Sequence, residues 1–293
     1  MNIKFFMIVS GHQEPMIADY AIKSFLKLKN LDFKLIVYSN YIDMDSKERY
    51  FPEWKRLSYV ELIENEHHNT ENFVSDEPID LQFGLFDLPG KIWDNQLKNI
   101  DADYIGIVDA DFEILKPEFV YKSLEILQKD ENILGVSMDY VGNHITNSPG
   151  IPGNLFGKYV FLQAHWCHYY VVYRKNNLDF NISFETQEKK ITDGNYLLWD
   201  CHSKMQNELI LCGLKMNHLN EKHQKKGIHY WGFSKNTMLN HRNIWWYRII
   251  KILAHTGISG IRYTHLPFRL IDKIFLGKYK KDRAIPIKPG KYV

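Results

Sequence analysis

Cysteine is scarce. The chain has three in 293 residues, Cys167, Cys201 and Cys212, an odd number without regular spacing. That argues against a disulfide framework and fits a reducing compartment. Long apolar runs are missing too. No stretch approaches the ~20 residues of a membrane span. The opening MNIKFFMIVSGHQEP does not read as a secretory leader, because its apolar run is short and His12, Gln13 and Glu14 follow at once. No Gly-x-Gly-x-x-Gly follows a first strand and no Walker-type loop occurs, so the usual backbone cradles for dinucleotides and triphosphates are absent. Internal repeats and low-complexity tracts are absent as well.

What is present is an aromatic-rich chain with 17 Phe, 18 Tyr and 7 Trp. Its net charge of +2 hides an asymmetry: residues 235 to 293 carry 13 Lys or Arg against Asp272 and Asp282, a surplus of 11, which leaves the rest at −9. The basic end therefore has a role of its own. Trp245, Trp246, Ile249, Ile250, Ile252 and Leu253 share one face of a helical wheel, and Phe268, Ile271, Ile274 and Phe275 share another. Basic amphipathic helices with Trp favour an anionic membrane surface; packing against the rest of the protein is the competing reading. No nucleic-acid motif accompanies the charge.

Hydrophobic patterning predicts an α/β chain. Ile3–Val9, Phe33–Tyr38, Leu57–Ile63, Tyr104–Val108, Ile133–Met138 and Tyr169–Tyr173 read as strands. Helices are predicted from Pro15, where Ala18, Ala21, Ile22 and Phe25 follow at helical spacing, over Gly90–Ile100, from Pro117 to Gln128, and over Asp200–Leu214. Residues 142 to 158 are rich in Gly, Pro and Asn and read as a loop. The alternation implies a mostly parallel central sheet with helices on both faces. In such sheets ligands bind beyond the carboxyl ends of the strands.

Two carboxylates stand at such an end. Asp109 and Asp111 follow the buried run Tyr104–Val108. Residues i and i+2 of a strand point to the same side, so the carboxylates can converge on Mg²⁺ or Mn²⁺; the alternative is an acidic, solvated strand end. Later, GIHYWGFSK places His229, Gly232 and Lys235 three residues apart in turn. A neutral imidazole can complete a metal shell, Gly232 allows close backbone approach, and Lys235 is a point charge suited to a diphosphate. A surface loop with a solvated Lys is the alternative. His165, Cys167, His168, Cys201 and His202 match no structural zinc spacing.

A hydrophobic strand, Asp-x-Asp and a late His-x-x-Gly-x-x-Lys together resemble the GT-A class of nucleotide-sugar glycosyltransferases, and most closely glycosyltransferase family 8. The resemblance covers residues 1 to 235. It implies a Rossmann-like GT-A catalytic domain over 1–235, with a donor-binding half near 1–115 and an acceptor-side half near 116–235, followed by the basic extension 236–293. It implies that Asp109, Asp111 and His229 bind the metal, that Lys235 contacts the diphosphate, and that Lys91 matches a basic residue on the helix before the Asp-x-Asp strand. Ser10, at the end of the first strand, falls where a GT-A protein receives nucleobase and ribose. Asp200 matches a carboxylate that lies beside the donor sugar in family 8, or is the acceptor's base in family 2; a helix cap is its plain alternative. Cys201 and His202 stand where family 8 has Gln and Asp, and its Asn-x-Gly is absent. Family 2, largely inverting, has a late His-x-x-Gly-x-Ser that His229, Gly232 and Ser234 satisfy.

The expectation is thus a metal-dependent transferase that moves a hexose from a nucleoside-diphosphate sugar to a saccharide or glycolipid in surface-glycan assembly, with retention implied by family 8. The expected place is the cytoplasm, peripheral to the inner membrane face, with no nucleic-acid partner. A sugar nucleotidyltransferase and a non-catalytic carbohydrate- or membrane-binding module are the rival classes.

Overall fold

In the computed structural model the described residues are 2–10, 14–40, 42, 44–64, 89–141, 144–146, 159–162, 165–166, 169–185, 187–192, 195–199, 201–229 and 285–286. The chain divides into two compact units. One comprises Met1–Thr70, Tyr104–Glu125 and Leu219–Lys280; the other comprises Glu71–Asp103, Ile126–His218 and Lys281–Val293. The fold is α/β with a mostly parallel seven-stranded central sheet, as the alternation of elements predicts.

The first unit is built on β1 (Ile3–Ser10), β2 (Phe33–Asn40), β3 (Val60–Glu64) and β4 (Tyr104–Val108), in the order β4-β1-β2-β3 and all parallel. Parallel strands covered on both faces read as nearly continuous apolar runs; β4 is one, and β1 is another but for Lys4. Every residue of β4 is buried. Gly106 in β4 is required by close packing, since a Cβ there would stand 2.2 Å from the Phe5 ring of β1. Phe5 meets Phe25 edge-on with centroids 5.1 Å apart, and Phe33 packs against both.

Helix α1 (Glu14–Ser24) buries Ala18, Ala21 and Ile22, one stripe at three- and four-residue spacing, and Phe25 continues it. Helix α2 (Met44–Trp54) is anchored by Trp54, whose indole N–H donates to Asp19 of α1 at 3.0 Å. β3 starts at Val60, three residues later than its pattern predicts. Leu57 is used instead to close turns, taking Trp54 O at 3.1 Å and giving its own carbonyl to Val60 N at 2.9 Å. A short strand the pattern does not announce, β5 (Phe112–Ile114), follows β4 and pairs antiparallel with Gly227–His229.

In the second unit β6 (Ile133–Ser137) pairs parallel with Lys215–His218 and antiparallel with Tyr170–Arg174. A separate five-stranded sheet joins Gln187–Thr192, Asn195–Trp199, Tyr159–Leu162, His144–Thr146 and Ile285–Pro286. His144–Thr146 is therefore strand where a loop is predicted; the rest of 142–158 lies outside the described residues. The helix predicted over Gly90–Ile100 is α-helical at 89–96 and tightens to a 3₁₀ turn at Leu97–Asn99. The helix predicted from Asp200 begins at Ser203 and ends at Leu211.

Candidate metal centre and its surroundings

Asp109, Asp111 and His229 come together in the first unit. The chain leaves β4 at Val108 and reverses at once: Phe112 N donates to Asp109 O at 3.1 Å, closing a turn over 109–112. The two carboxylates therefore converge through a turn, not through strand alternation as the sequence predicts. β5 then runs back and pairs with Gly227–His229 in a fixed register, with His229 opposite Phe112 and Gly227 opposite Ile114. Leu115 N and Lys116 N both donate to Lys226 O, at 2.8 and 2.9 Å, which holds the far end of the pairing. A residue 118 positions away from Asp111 is thereby brought beside it.

Helix α1 and the 3₁₀ turn after it secure β5. The buried Ser24 hydroxyl donates to Ala21 O at 2.6 Å and accepts from Ile114 N at 2.9 Å. Lys27 donates to Ile114 O at 2.5 Å, and its ammonium lies 3.9 Å from the buried Glu113 carboxylate.

His229 Nε2 lies 3.0 Å from Asp111 Oδ1 and 3.3 Å from Asp109 Oδ2. The ligand atoms of the three residues all lie within 4.8 Å of one another, and among the described residues they are the one such group of three. Asp111 keeps 5% of its side-chain surface, His229 12% and Asp109 29%, so the site opens to solvent on the Asp109 side. Burial pushes the imidazole pKa down, but the charge of Asp111, then hydrogen bonds to Asp109 and Asp111, outweigh it and raise it to about 9. The metal-free site therefore holds an imidazolium between two carboxylates. Its proton occupies the place where a cation's charge is wanted. Two carboxylates and one imidazole fit a small divalent ion such as Mn²⁺ or Mg²⁺.

The other predicted site residues fare differently. Ser10 is the last residue of β1, in register with Asn40 at the end of β2; its side chain lies outside the description. Lys91 is exposed on the helix 89–96, in the second unit. Asp200, Gly232 and Lys235 lie outside the described residues, as do Cys167, His168 and both predicted amphipathic stretches of the C-terminal extension. The N-cap position of the Ser203–Leu211 helix is His202, whose side chain makes no cap hydrogen bond.

His202 is a residue whose setting sequence reasoning missed. It is 1% exposed and adopts φ 69°, a left-handed conformation that costs a side-chain-bearing residue of order 1 kcal/mol or more. The second unit surrounds it with aromatics: the Trp93 ring lies edge-on at 4.3 Å between centroids and Phe184 edge-on at 5.1 Å. Its backbone N–H donates to Phe184 O at 3.1 Å, and Nδ1 lies 3.0 Å from the Tyr173 hydroxyl. The proton directions follow from one anchor. Trp166 N can only donate, so the Gln206 atom 3.0 Å from it is the carbonyl oxygen. The amide nitrogen of Gln206 then faces Trp166 O at 3.3 Å and donates to the Tyr173 hydroxyl at 2.8 Å. Burial raises the Tyr173 phenol well above its ordinary value, so it keeps its proton; with the Gln206 amide donating to its oxygen, that proton is free to be given to His202 Nδ1.

No family model matches the chain, and no curated protein matches it. Among solved structures it is similar to a mannosyltransferase from Pyrobaculum calidifontis in complex with GDP-Man and Mn²⁺, at 11% identity, over 94% of this chain and 81% of that one, with a TM-score of 0.45. S. aureus TarS 1–349 in complex with UDP-GlcNAc matches at 12% identity over 76% and 69%, with a TM-score of 0.38. Glucosyl-3-phosphoglycerate synthase from Mycobacterium tuberculosis, in complex with Mn²⁺, UDP and glucosyl-3-phosphoglycerate, matches at 15% over 60% and 58%, with a TM-score of 0.34. At these identities and scores the likeness assigns neither activity nor substrate. Among the described residues no helix is long and apolar enough to cross a membrane.

Proposed function

We propose that the protein is a GT-A glycosyltransferase that uses a divalent metal ion and a nucleoside-diphosphate sugar. The observation that supports this is the convergence of Asp109, Asp111 and His229 just beyond the carboxyl end of β4. Residues 1–235 are the catalytic part of this reading.

Asp109, Asp111 and His229 would hold Mn²⁺ or Mg²⁺, and the ion supplies charge neutralisation to the diphosphate leaving group. The glycosidic C–O bond to the diphosphate breaks and a C–O bond to the acceptor hydroxyl forms. Lys235 adds positive charge beside the diphosphate, and Gly232 lets the backbone approach it. Asp200 either takes the acceptor's proton or lies beside the donor sugar and opposes its oxocarbenium charge. Ser10 contacts the ribose, and Lys91 supplies a further cation toward the donor. The transferred sugar is a hexose, the acceptor a saccharide or glycolipid of a surface glycan, and the outcome retention. The basic extension, 236–293, docks on an anionic membrane surface at its cytoplasmic face.

Incubation with UDP- and GDP-hexoses and Mn²⁺ tests the reaction. Nucleoside diphosphate with free or transferred sugar is expected, and EDTA should stop its release. Pyrophosphate would make the protein a nucleotidyltransferase, and no turnover a binding module. Asp200→Asn should lower transfer by ~10²–10⁴-fold if the carboxylate is the base. Replacing Lys278, Lys280, Lys281 and Arg283 by Gln should release the protein from anionic liposomes, each charge contributing ~1 kcal/mol near the surface.

A further inference from the structure

The second unit carries a row of three rings at the carboxyl ends of two parallel strands. β6 ends at Ser137, opposite His218, the last residue of Lys215–His218. Beyond Ser137 the chain turns tightly: the Ser137 hydroxyl donates to Asp139 O at 2.6 Å, and Tyr140 N donates to the Asp139 carboxylate at 2.9 Å. This leaves Tyr140 with 42% of its surface exposed. Its ring centroid lies 4.7 Å from that of Trp166 and 6.4 Å from that of His218, the latter nearly parallel at 25°.

The support beneath the row is built more firmly than an incidental surface patch needs. Tyr140 and Trp166 are direct partners in a two-residue antiparallel pairing. So short a pairing is marginal by itself. Both backbone groups of Trp166 are instead taken by Gln206, which is fully buried and is itself held by Tyr173 and, through it, His202. Gln206, Tyr173 and His202 thus hold the half-buried Trp166, and Trp166 pairs with the exposed Tyr140.

We propose that Tyr140, Trp166 and His218 form a stacking subsite for a pyranose ring of the acceptor saccharide. The C–H face of a pyranose is apolar and mildly positive, and packs on the electron-rich face of an aromatic ring. The hydroxyls at the rim of the sugar need polar partners, and the nitrogens of the His218 ring are of that kind. A rigid aromatic with few rotatable bonds loses little entropy on binding. The word acceptor rests on the glycosyl-transfer reading; the stacking does not.

The test is saturation-transfer NMR with the methyl glycosides of glucose, galactose, mannose and N-acetylglucosamine, without metal or donor. Transfer to the pyranose ring protons is expected from wild type. Tyr140→Ala should weaken binding about three- to tenfold, the range of one aromatic contact, Tyr140→Phe should retain it, and Trp166→Phe should fall between. Circular dichroism and Mn²⁺ affinity serve as folding controls. Equal transfer in Tyr140→Ala, or none from wild type to any of the four glycosides, overturns the subsite. Because the measurement needs no turnover, a protein that binds these sugars but releases no nucleoside diphosphate would sink the glycosyl-transfer reading and leave the subsite standing.

Discussion

The two units each hold a polar cluster, and the clusters solve opposite problems. In the first, Asp109 and Asp111 repel each other and a protonated His229 stands in for a cation. In the second, Gln206 donates to the Tyr173 hydroxyl, which lies 3.0 Å from His202 Nδ1, and all three side chains are buried. One cluster is balanced only with an added charge and remains partly open to solvent. The other carries no carboxylate and is sealed from solvent.

The contrast breaks most severely at Asp111. Asp111→Asn should lower Mn²⁺ affinity by about 100-fold or more, since the loss of a mere outer partner of a ligand already costs ~10–100-fold. Calorimetry reads it, and an unchanged affinity would remove the acidic pair from metal binding. The matching change in the other cluster, Gln206→Leu, should leave Mn²⁺ affinity as it is.

Proton linkage sharpens the contrast. The His229 pKa is raised in the folded chain, from 6.5 to about 9. Its ion pair therefore stabilises the metal-free protein fully below pH 6.5, and the contribution is lost as pH rises through 9. In EDTA, the melting temperature should fall between pH 7 and 10 in wild type more than in His229→Gln. With metal the sign reverses. Binding must displace the imidazole proton, so Mn²⁺ affinity should rise about tenfold per pH unit from pH 7 towards 9. A flat profile would mean that His229 is not a ligand. Tyr173→Phe, which leaves His229 and both carboxylates in place, should keep the wild-type dependence.

Stability gives the next effect. Gln206→Leu strands Trp166 N and deprives the Tyr173 hydroxyl of its donor, at about 1–3 kcal/mol for each group left buried without a partner. Urea denaturation measures it, and a loss under 0.5 kcal/mol would show that water replaces the amide. The smallest expected effect belongs to Ser24→Ala. It removes the acceptor for Ile114 N, so it should cost about 1 kcal/mol of stability. It should weaken Mn²⁺ binding only a few-fold, because Leu115, Lys116 and Lys226 still hold the pairing of β5.

What the sequence reveals divides along the same line as locality. β1 and β4 are legible because a buried parallel strand is a nearly continuous apolar run, broken in β1 only by Lys4 before Ser10. The stripe of α1 is legible because Ala18, Ala21, Ile22 and Phe25 repeat at the helical period. Asp109 and Asp111 are conspicuous because they end such a run. The turn that joins them is not conspicuous, since Asp-Ala-Asp carries no Gly or Pro to announce it. Nor is the strand Gly227–His229, whose partner lies more than a hundred residues away. The Tyr140–Trp166 pairing and the left-handed His202 leave no local pattern either. Each is set by tertiary contacts that a window of sequence does not contain.

The long-range pairing of β5 with Gly227–His229 also bears on when the site comes into being. Closing so large a loop is a slow, entropy-limited event, so the ligand set is completed late in folding. Because Asp111 and His229 lie on the two sides of that closure, an ion that bridges them ties the late strand to the early one. Amides of 112–115 and 227–229 should then exchange with solvent faster than those of β1 and β4 in EDTA, and slow selectively when Mn²⁺ is added.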